Sequence, residues 1–203
     1  KFLIKVLIVV GIPSILTFIE PDTGAVLIYF IITIVMLFVG GIRSRWFIIT
    51  IITLLLAGGA FLAIYFFKQD LFINLFGTSF FYRMDRILNW SSSSGLQLTN
   101  GLTAIGSAGI KGNGLNNIPI YFPEMQTDFI FAVFASNFGL LGELLLISLM
   151  VFFDINIIGL ANKSSNDNDK LLVGGIISVL LFQQVQNISM TIGLLPIMGI
   201  TLP

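Results

Sequence analysis

Residues 24–42 read GAVLIYFIITIVMLFVGGI, and no charged side chain interrupts them before Arg43. A helix of this length is suited to cross the hydrocarbon core of a bilayer, which takes roughly 20 apolar residues. Four further segments have the same character. The five predicted spans cover residues 2–19, 24–42, 46–67, 127–153 and 171–195. The sequence therefore predicts an all-α fold, a polytopic transmembrane helix bundle in a single membrane domain.

The composition of the chain agrees with this class. Of its 203 residues, 56% are hydrophobic and only 10% are charged, whereas a soluble domain carries roughly 25% charged residues. Since the chain has no His and no Cys, it cannot form a Ser-His-Asp triad, a thiol nucleophile or a disulfide. Ten basic and ten acidic residues cancel, so no net field attracts nucleic acid. Acid–base chemistry must therefore use carboxylates, Lys or Tyr.

One connection, residues 68–126, is long, polar and rich in Gly, Ser and Asn. The short loops and the chain start on the other side of the predicted bundle carry Lys1, Lys5, Arg43, Arg45, Lys163 and Lys170. Because short cytoplasmic loops are enriched in Lys and Arg, we predict that this large loop is extracellular. Its apolar side chains predict contact with the membrane surface, and a disordered connector is the alternative. These side chains are Phe72, Leu75, Phe76, Phe80 and Phe81.

Two features of this loop could bind an anion. Arg83 and Arg86 are spaced i, i+3, which places both guanidinium groups on one face of a helical turn, where they suit a phosphate or pyrophosphate. A solvated or headgroup-facing pair is equally compatible with the spacing. The glycine-rich run 106–114 carries Lys111 and could offer backbone N–H groups to an anion, although its composition alone favours a flexible loop. Because the chain both starts and stops in apolar sequence, we expect it to be an internal piece of a longer protein.

The loop ends in the sequence PEMQTDFIF, residues 123–131. Thr127 suits the N-cap of the fourth span and Asp128 its first turn, where a carboxylate is favoured by the helix dipole. Helix initiation alone explains such an Asp. The functional interpretation is a general base at the outer membrane surface, with its pKa held low by the dipole, that accepts a proton from a substrate hydroxyl.

Polar side chains also occur inside the predicted spans. Glu143 lies within the fourth span, and a carboxylate there is either functional or neutral and hydrogen-bonded to another helix. The fifth span carries Gln183, Gln184, Gln186 and Asn187, which we expect to join helices by hydrogen bonds.

Five blocks, in order, resemble the SEDS proteins (shape, elongation, division and sporulation), the family of RodA, FtsW and SpoVE. The first is EPDTG at residues 20–24, and the second is RMDR at 83–86 with GLQ at 95–97. The third is AIGSAG at 104–109 with GNGL at 112–115, and the fourth is PEMQTDFIFA at 123–132, the most specific. The fifth is NISM at 187–190 with GLLPIMG at 193–199. Within the fifth block, residues 188–190 favour a RodA-like member over an FtsW-like one.

The resemblance implies a multi-pass glycosyltransferase of the bacterial cell membrane that polymerises lipid II, an undecaprenyl-pyrophosphate-linked disaccharide peptide, into peptidoglycan. It places the catalytic carboxylate of the T-D-F motif at Asp128. A divalent cation, Mg or Mn with ligands unknown, and a class B penicillin-binding protein are implied as cofactor and partner. The expected substrate-binding residues are Arg83, Arg86, Gln97, Ser107, Glu124 and Thr127, with Lys111 added for its charge and position.

The sequence departs from the family pattern at three places. Gln126 replaces the usual His before T-D-F, Asn113 replaces the Lys of G-K-G, and residues 135–139 lack the usual carboxylates. Two other functions stay open. One is a flippase or transporter of the lipid-linked cell-wall precursor, and the other is a non-catalytic membrane scaffold for a transpeptidase.

Overall fold

A computed structural model gives the conformation of residues 2–20, 22–88 and 95–203. These residues form eight helices and no strand, so the all-α prediction is confirmed. The helices are α1 (Phe2–Ile19), α2 (Thr23–Val39), α3 (Ser44–Phe67), α4 (Gln69–Phe76), α5 (Thr78–Leu88), α6 (Gly95–Ser107), α7 (Ile130–Lys163) and α8 (Asp167–Thr191). Three of them, α4 to α6, lie within the predicted loop 68–126.

Three helices, α3, α7 and α8, are long and apolar enough to cross a membrane, and α1 and α2 are shorter apolar helices. Local sequence explains where several of them end. Helix α2 stops at Val39 because Gly40 and Gly41 follow, and Gly41 has a φ of 78°, the left-handed conformation that commonly ends helices. Helix α8 starts earlier than predicted because Asn166 caps it, accepting a 3.1 Å hydrogen bond from the amide of Asn168.

One compact unit contains α1, α2 and the chain from α6 to the C-terminal residue. Within it, α8 packs against α2, α6 and α7. Glycines allow α8 to approach α2 closely, since a Cβ added to Gly174 would lie 3.2 Å from Cγ2 of Val39. Small residues let transmembrane helices come together in this way.

The second compact unit contains α3, α4 and α5. Phe72 of α4 is fully buried, and its ring lies 5.0 Å from that of Phe61 and 5.4 Å from that of Tyr65, both on α3. The Tyr65 hydroxyl donates a 2.9 Å hydrogen bond to Asp85 of α5. The prediction of a membrane-surface role is therefore wrong for Phe72, because an aromatic cluster encloses it. Leu75 and Phe76 remain exposed.

Helix α7 is broken at Gly139, which has a φ of 64° and a ψ of −166°. The segment 109–114 fills the break. The amides of Leu140 and Leu141 donate to the carbonyls of Gly109 and Ile110 at 3.1 and 3.2 Å, and those of Asn113 and Gly114 donate to Ser136 and Asn137 at 2.9 and 3.1 Å. The backbone groups freed by the break are thereby satisfied within the protein, as a membrane environment requires.

Candidate active site

Asp128 lies in a turn that precedes α7. The helix begins at Ile130 with Phe129 as its N-cap residue, and no side chain caps it. The prediction that Thr127 is the N-cap is therefore wrong. The Thr127 hydroxyl instead donates a 2.8 Å hydrogen bond to the carboxylate of Glu124.

Buried aromatic residues and α6 anchor this turn. Phe122 and Phe129 are buried, with their ring centroids 5.8 Å apart, and Phe129 sits so close to Gly101 of α6 that an added Cβ would lie 3.1 Å from its ring. Gln97 of α6 donates a 3.1 Å hydrogen bond to the carbonyl of Pro123. Gln97 therefore holds the turn that carries the candidate residues.

The backbone of the turn is folded around Glu124. This residue has a φ of 56°, a left-handed conformation that is costly for a side chain with a Cβ. Its carbonyl accepts hydrogen bonds from the amides of Thr127 and Phe129 at 3.3 and 3.1 Å. The result is a tight turn that keeps Glu124 and Asp128 close enough for their charges to interact.

The environment of Asp128 raises the pKa of its carboxyl above the usual 3.8, first because burial disfavours the charged form and second because the negative charge of Glu124 repels it. The prediction of a low pKa is therefore wrong. Asp128 lies outside the first turn of α7, so the helix dipole does not dominate its surroundings. A raised pKa makes the carboxylate a stronger base than an ordinary Asp.

The backbone of Asp128 contacts α8 and lies next to the C-terminal segment. The side-chain amide of Asn187 donates hydrogen bonds of 2.8 Å to the carbonyl of Asp128 and 2.7 Å to that of Ile200. A Cβ added to Gly199 would lie 3.7 Å from Oδ2 of Asp128. The carboxylate thus lies beside the backbone of the last residues.

An open cleft of about 630 Å³ adjoins the turn. Its walls combine amide, carboxylate, hydroxyl and aromatic groups with aliphatic side chains, and Asp128 directly follows Thr127 of this lining in the chain. The lining residues are Asn116, Ile118, Tyr121, Glu124, Met125, Gln126, Thr127, Ile130 and Val133. Within the described residues, the two non-glycine residues with positive φ, Asn116 and Glu124, both line this cleft. Strained backbone of this kind clusters at functional sites.

The glycine-rich run 106–114 forms hydrogen bonds with the broken part of α7. The amides of Gly112, Asn113 and Gly114 already donate to carbonyls of Ala108, Ser136 and Asn137, so these three amides are not available to an anion. Ser107 accepts a 3.1 Å hydrogen bond from the side chain of Asn113 and so helps to hold the run. Lys111 is exposed and free to reach a ligand.

Arg83 and Arg86 both lie on α5, in the second compact unit, as their i, i+3 spacing predicted. Their side chains lie outside the described part of the structure. Glu143 of α7 is half-buried and makes no hydrogen bond through its side chain to the described residues.

Asp154 of α7 was not expected from the sequence as a functional residue; it is 4% exposed and accepts a 3.3 Å hydrogen bond from Gln184 of α8. This bond confirms the expected interhelical role for Gln184. Gln186 and Asn187 differ, because both donate to backbone carbonyls of the C-terminal segment. A charged residue near the end of an apolar run was the available signal for Asp154.

Among residues 2–20, 22–88 and 95–203, no group of three or more acidic, His or Cys side chains could hold a metal ion. Glu124 and Asp128 form a pair of carboxylates. Two carboxylates alone do not make a divalent-cation site, so the described residues do not show where the implied cation would bind.

Comparison with known proteins places the whole chain in one group. A family model for FtsW, RodA and SpoVE, described as cell cycle protein, matches residues 1–203. A protein of Coxiella burnetii named "Probable peptidoglycan glycosyltransferase FtsW" is 35% identical over 100% of this chain and 54% of its own length. A protein of Bacillus subtilis with the same name is 33% identical over 91% of this chain and 46% of its own.

A solved structure has the same fold. It was reported as "Structural coordination of polymerization and crosslinking by a peptidoglycan synthase complex", and one of its chains matches with a TM-score of 0.72 and 25% identity, covering 98% of this chain and 52% of that one. The chain thus spans about half the length of the relatives it matches. Both relatives named above carry the FtsW name, so the leaning towards a RodA-like member gains no support from them.

Proposed function

The chain belongs to the FtsW/RodA/SpoVE family, and from this premise we propose that it is a peptidoglycan glycosyltransferase that polymerises lipid II, with Asp128 as its general base. Its fold is that of a multi-pass protein of the bacterial cell membrane. The observation that carries the proposal is the half-buried Asp128 carboxylate, whose pKa is raised, in a turn that adjoins an open cleft of about 630 Å³ with both polar and apolar walls.

The reaction forms a glycosidic bond between two sugars. The acceptor's 4-hydroxyl oxygen attacks the anomeric carbon of the donor, and the bond from that carbon to the lipid pyrophosphate breaks with its electrons going to the leaving oxygen. Asp128 accepts the hydroxyl proton as the oxygen attacks, which general bases do with gains of about 10²–10⁴ in rate. Because burial raises its pKa, Asp128 holds that proton better than an exposed carboxylate would.

The cleft suits the acceptor disaccharide. Hydroxyl and acetamido groups of a sugar need donors and acceptors, which Asn116, Gln126 and Glu124 provide, and the exposed ring of Tyr121 offers a flat surface to a sugar face. The turn connects this cleft directly to Asp128. Thr127 of this lining directly precedes Asp128, so we place the reacting hydroxyl of the acceptor at this end of the cleft.

The leaving pyrophosphate needs positive charge. Lys111 is the candidate cation in the compact unit that carries Asp128, and an oriented cation stabilises charge that develops on a leaving group. Arg83 and Arg86 remain candidates on the motif that the sequence shares with the family. A divalent cation, if bound, would neutralise part of the pyrophosphate charge; its ligands in this chain are not identified, and Asp128 is assigned here only as the base. The 68–126 segment would face outward, where a class B penicillin-binding protein could cross-link the new strand.

Precursor transport is the second candidate, because α7 carries Glu143 and the buried Asp154, and intramembrane carboxylates often line transport paths. Detergent micelles separate the two functions since they have no sides to transport between. The intact protein is mixed with lipid II and a divalent cation in micelles, and glycan chains are separated on a gel. The proposal expects polymer, whereas unreacted lipid II, also after addition of a penicillin-binding protein, would contradict it.

A further inference from the structure

Asn187 of α8 joins two segments that are far apart in the sequence. Its side chain is fully buried. One amide nitrogen donates to the carbonyl of Asp128 at 2.8 Å and to that of Ile200 at 2.7 Å. Both hydrogens of the amide are thus used on backbone oxygens.

This pattern fixes the orientation of the amide. If it were turned over, its oxygen would face two carbonyl oxygens, which is repulsive. In the present orientation Oδ1 of Asn187 is buried and has no hydrogen-bond partner among the described residues. A buried acceptor without a partner costs free energy, so the two donated bonds have to offset that cost.

The segment that Asn187 holds is itself well constrained. Gln186 donates a 3.1 Å hydrogen bond to the carbonyl of Pro196. At the start of α2, a Cβ added to Gly24 would lie 2.7 Å from the carbonyl oxygen of Met198. Residues 196–200 are therefore clamped between α2 and α8, and they form the wall beside the Asp128 carboxylate.

We propose that Asn187 is a positioning residue, which fixes the peptide of Asp128 against the clamped 196–200 segment and so keeps the carboxylate in its half-buried place. The inference rests on the proposed function, since it assigns Asn187 a role through Asp128. Misplacement of a reacting group by about 1 Å can lower a rate about a hundredfold.

The kinetic test uses Asn187→Leu, which removes both donors but keeps the number and branching of the heavy atoms, and Asn187→Ser, which keeps one donor on a shorter side chain. Thr191→Val is the matched control, because Thr191 is also fully buried on α8 but donates only to carbonyls of its own helix. For both Asn187 variants we expect kcat to fall by about tenfold to a hundredfold. KM for lipid II should change less than about twofold, because ground-state binding is not affected. Thr191→Val should keep the wild-type kcat.

A second kinetic readout separates positioning from general damage to the fold. Without the bond from Asn187, the Asp128 carboxylate becomes more exposed to water, and its pKa should fall because burial is what raises it first. The acid limb of the pH profile of kcat should therefore shift to lower pH. Glu124 is the charged group whose repulsion acts on Asp128, and it is unchanged in these variants. An unchanged pH profile, or a loss of kcat equal to that of Thr191→Val, would overturn the proposal.

Hydrogen exchange tests the same idea without any activity. In the intact protein, Asn187→Leu should speed exchange in residues 127–131 and 198–202 together, whereas Gln186→Leu should speed it only in the C-terminal segment. Faster exchange at 198–202 alone in Asn187→Leu would overturn the proposal. If the wild type makes no polymer, the proposed function fails, and this experiment still decides the role of Asn187.

Discussion

The hydroxyl of Thr127 donates a 2.8 Å hydrogen bond to the carboxylate of Glu124, three residues earlier in the same turn. This bond orients the Glu124 carboxylate, which remains exposed, within the turn. The pKa of Asp128 is raised by burial first and by the charge of Glu124 second. Two neighbouring residues therefore take part in setting the basicity of the candidate base.

Replacing Glu124 by Gln tests this electrostatic link. Gln keeps an oxygen that can accept from Thr127 but removes the negative charge, so the pKa of Asp128 should fall. A base must be deprotonated to act, and we expect the acid limb of the pH–rate profile for polymerisation to move to lower pH, by less than about one unit. Glu20→Gln, at an exposed carboxylate elsewhere, is the control. No shift, or a shift to higher pH, would contradict the assignment.

Asp128→Asn should also change stability in a pH-dependent way. Because the folded pKa is raised above 3.8, the folded state binds more protons than the unfolded state between the two pKa values, and stability falls as pH rises through that window. Removing the charge should raise the thermal midpoint by about 1–2 °C near neutral pH. The gain should vanish as the pH falls to the usual Asp value. A gain that grows towards acid would refute this reasoning.

Gly112 and Gly139 meet where the segment 109–114 enters the break in α7. A Cβ on Gly112 would overlap the carbonyl of Asn137 and lie 2.7 Å from the carbonyl carbon of Phe138, whereas one on Gly114 meets nothing within 4 Å. Both glycines have positive φ. Gly114→Ala should therefore cost about 1–2 kcal/mol from backbone strain alone, and Gly112→Ala about 1–3 kcal/mol more from overpacking. Thermal unfolding in detergent measures both, and equal losses would argue against the tight contact.

The Asp154–Gln184 bond between α7 and α8 can be measured by a double-mutant cycle with Ala at both positions. Hydrogen bonds between membrane helices average about 0.6 kcal/mol and reach about 1.7 kcal/mol. We expect a coupling energy in this range. The control cycle pairs Gln184→Ala with Glu143→Ala, which share no hydrogen bond, and should give coupling near zero. Similar coupling in both cycles would show that the bond between Asp154 and Gln184 is not what joins the helices.

The sequence was sufficient to predict the class of fold, because an apolar run such as 24–42 has few ways to exist outside a membrane helix. It also identified Asp128, through its place between a Pro and an apolar span. The start of α7 could not be predicted, since Glu124 adopts a left-handed conformation that few residues other than Gly favour. That turn moves the helix start past Asp128 and reverses the expected direction of its pKa shift.

The periodicity of apolar residues predicts helices but does not predict contacts between segments that are far apart in the sequence. Asn187 looked like one of several amides in a membrane helix, and only the folded chain brings Asp128 and Ile200 to it. The same holds for the glycine-rich run. Its composition is typical of a flexible loop, whereas its amides complete the hydrogen bonding of a broken helix.

The most direct test of the account is the initial rate of lipid II polymerisation by the intact protein and its Asp128→Asn variant. Asp22→Asn is the matched control, because Asp22 caps α2 with a 3.0 Å hydrogen bond from Ala25 and Asn caps helices equally well. The account predicts that Asp128→Asn loses about 10²–10⁴ in rate while it inserts and folds as the wild type does, and that Asp22→Asn stays active. Polymer formed by Asp128→Asn at the wild-type rate would contradict it.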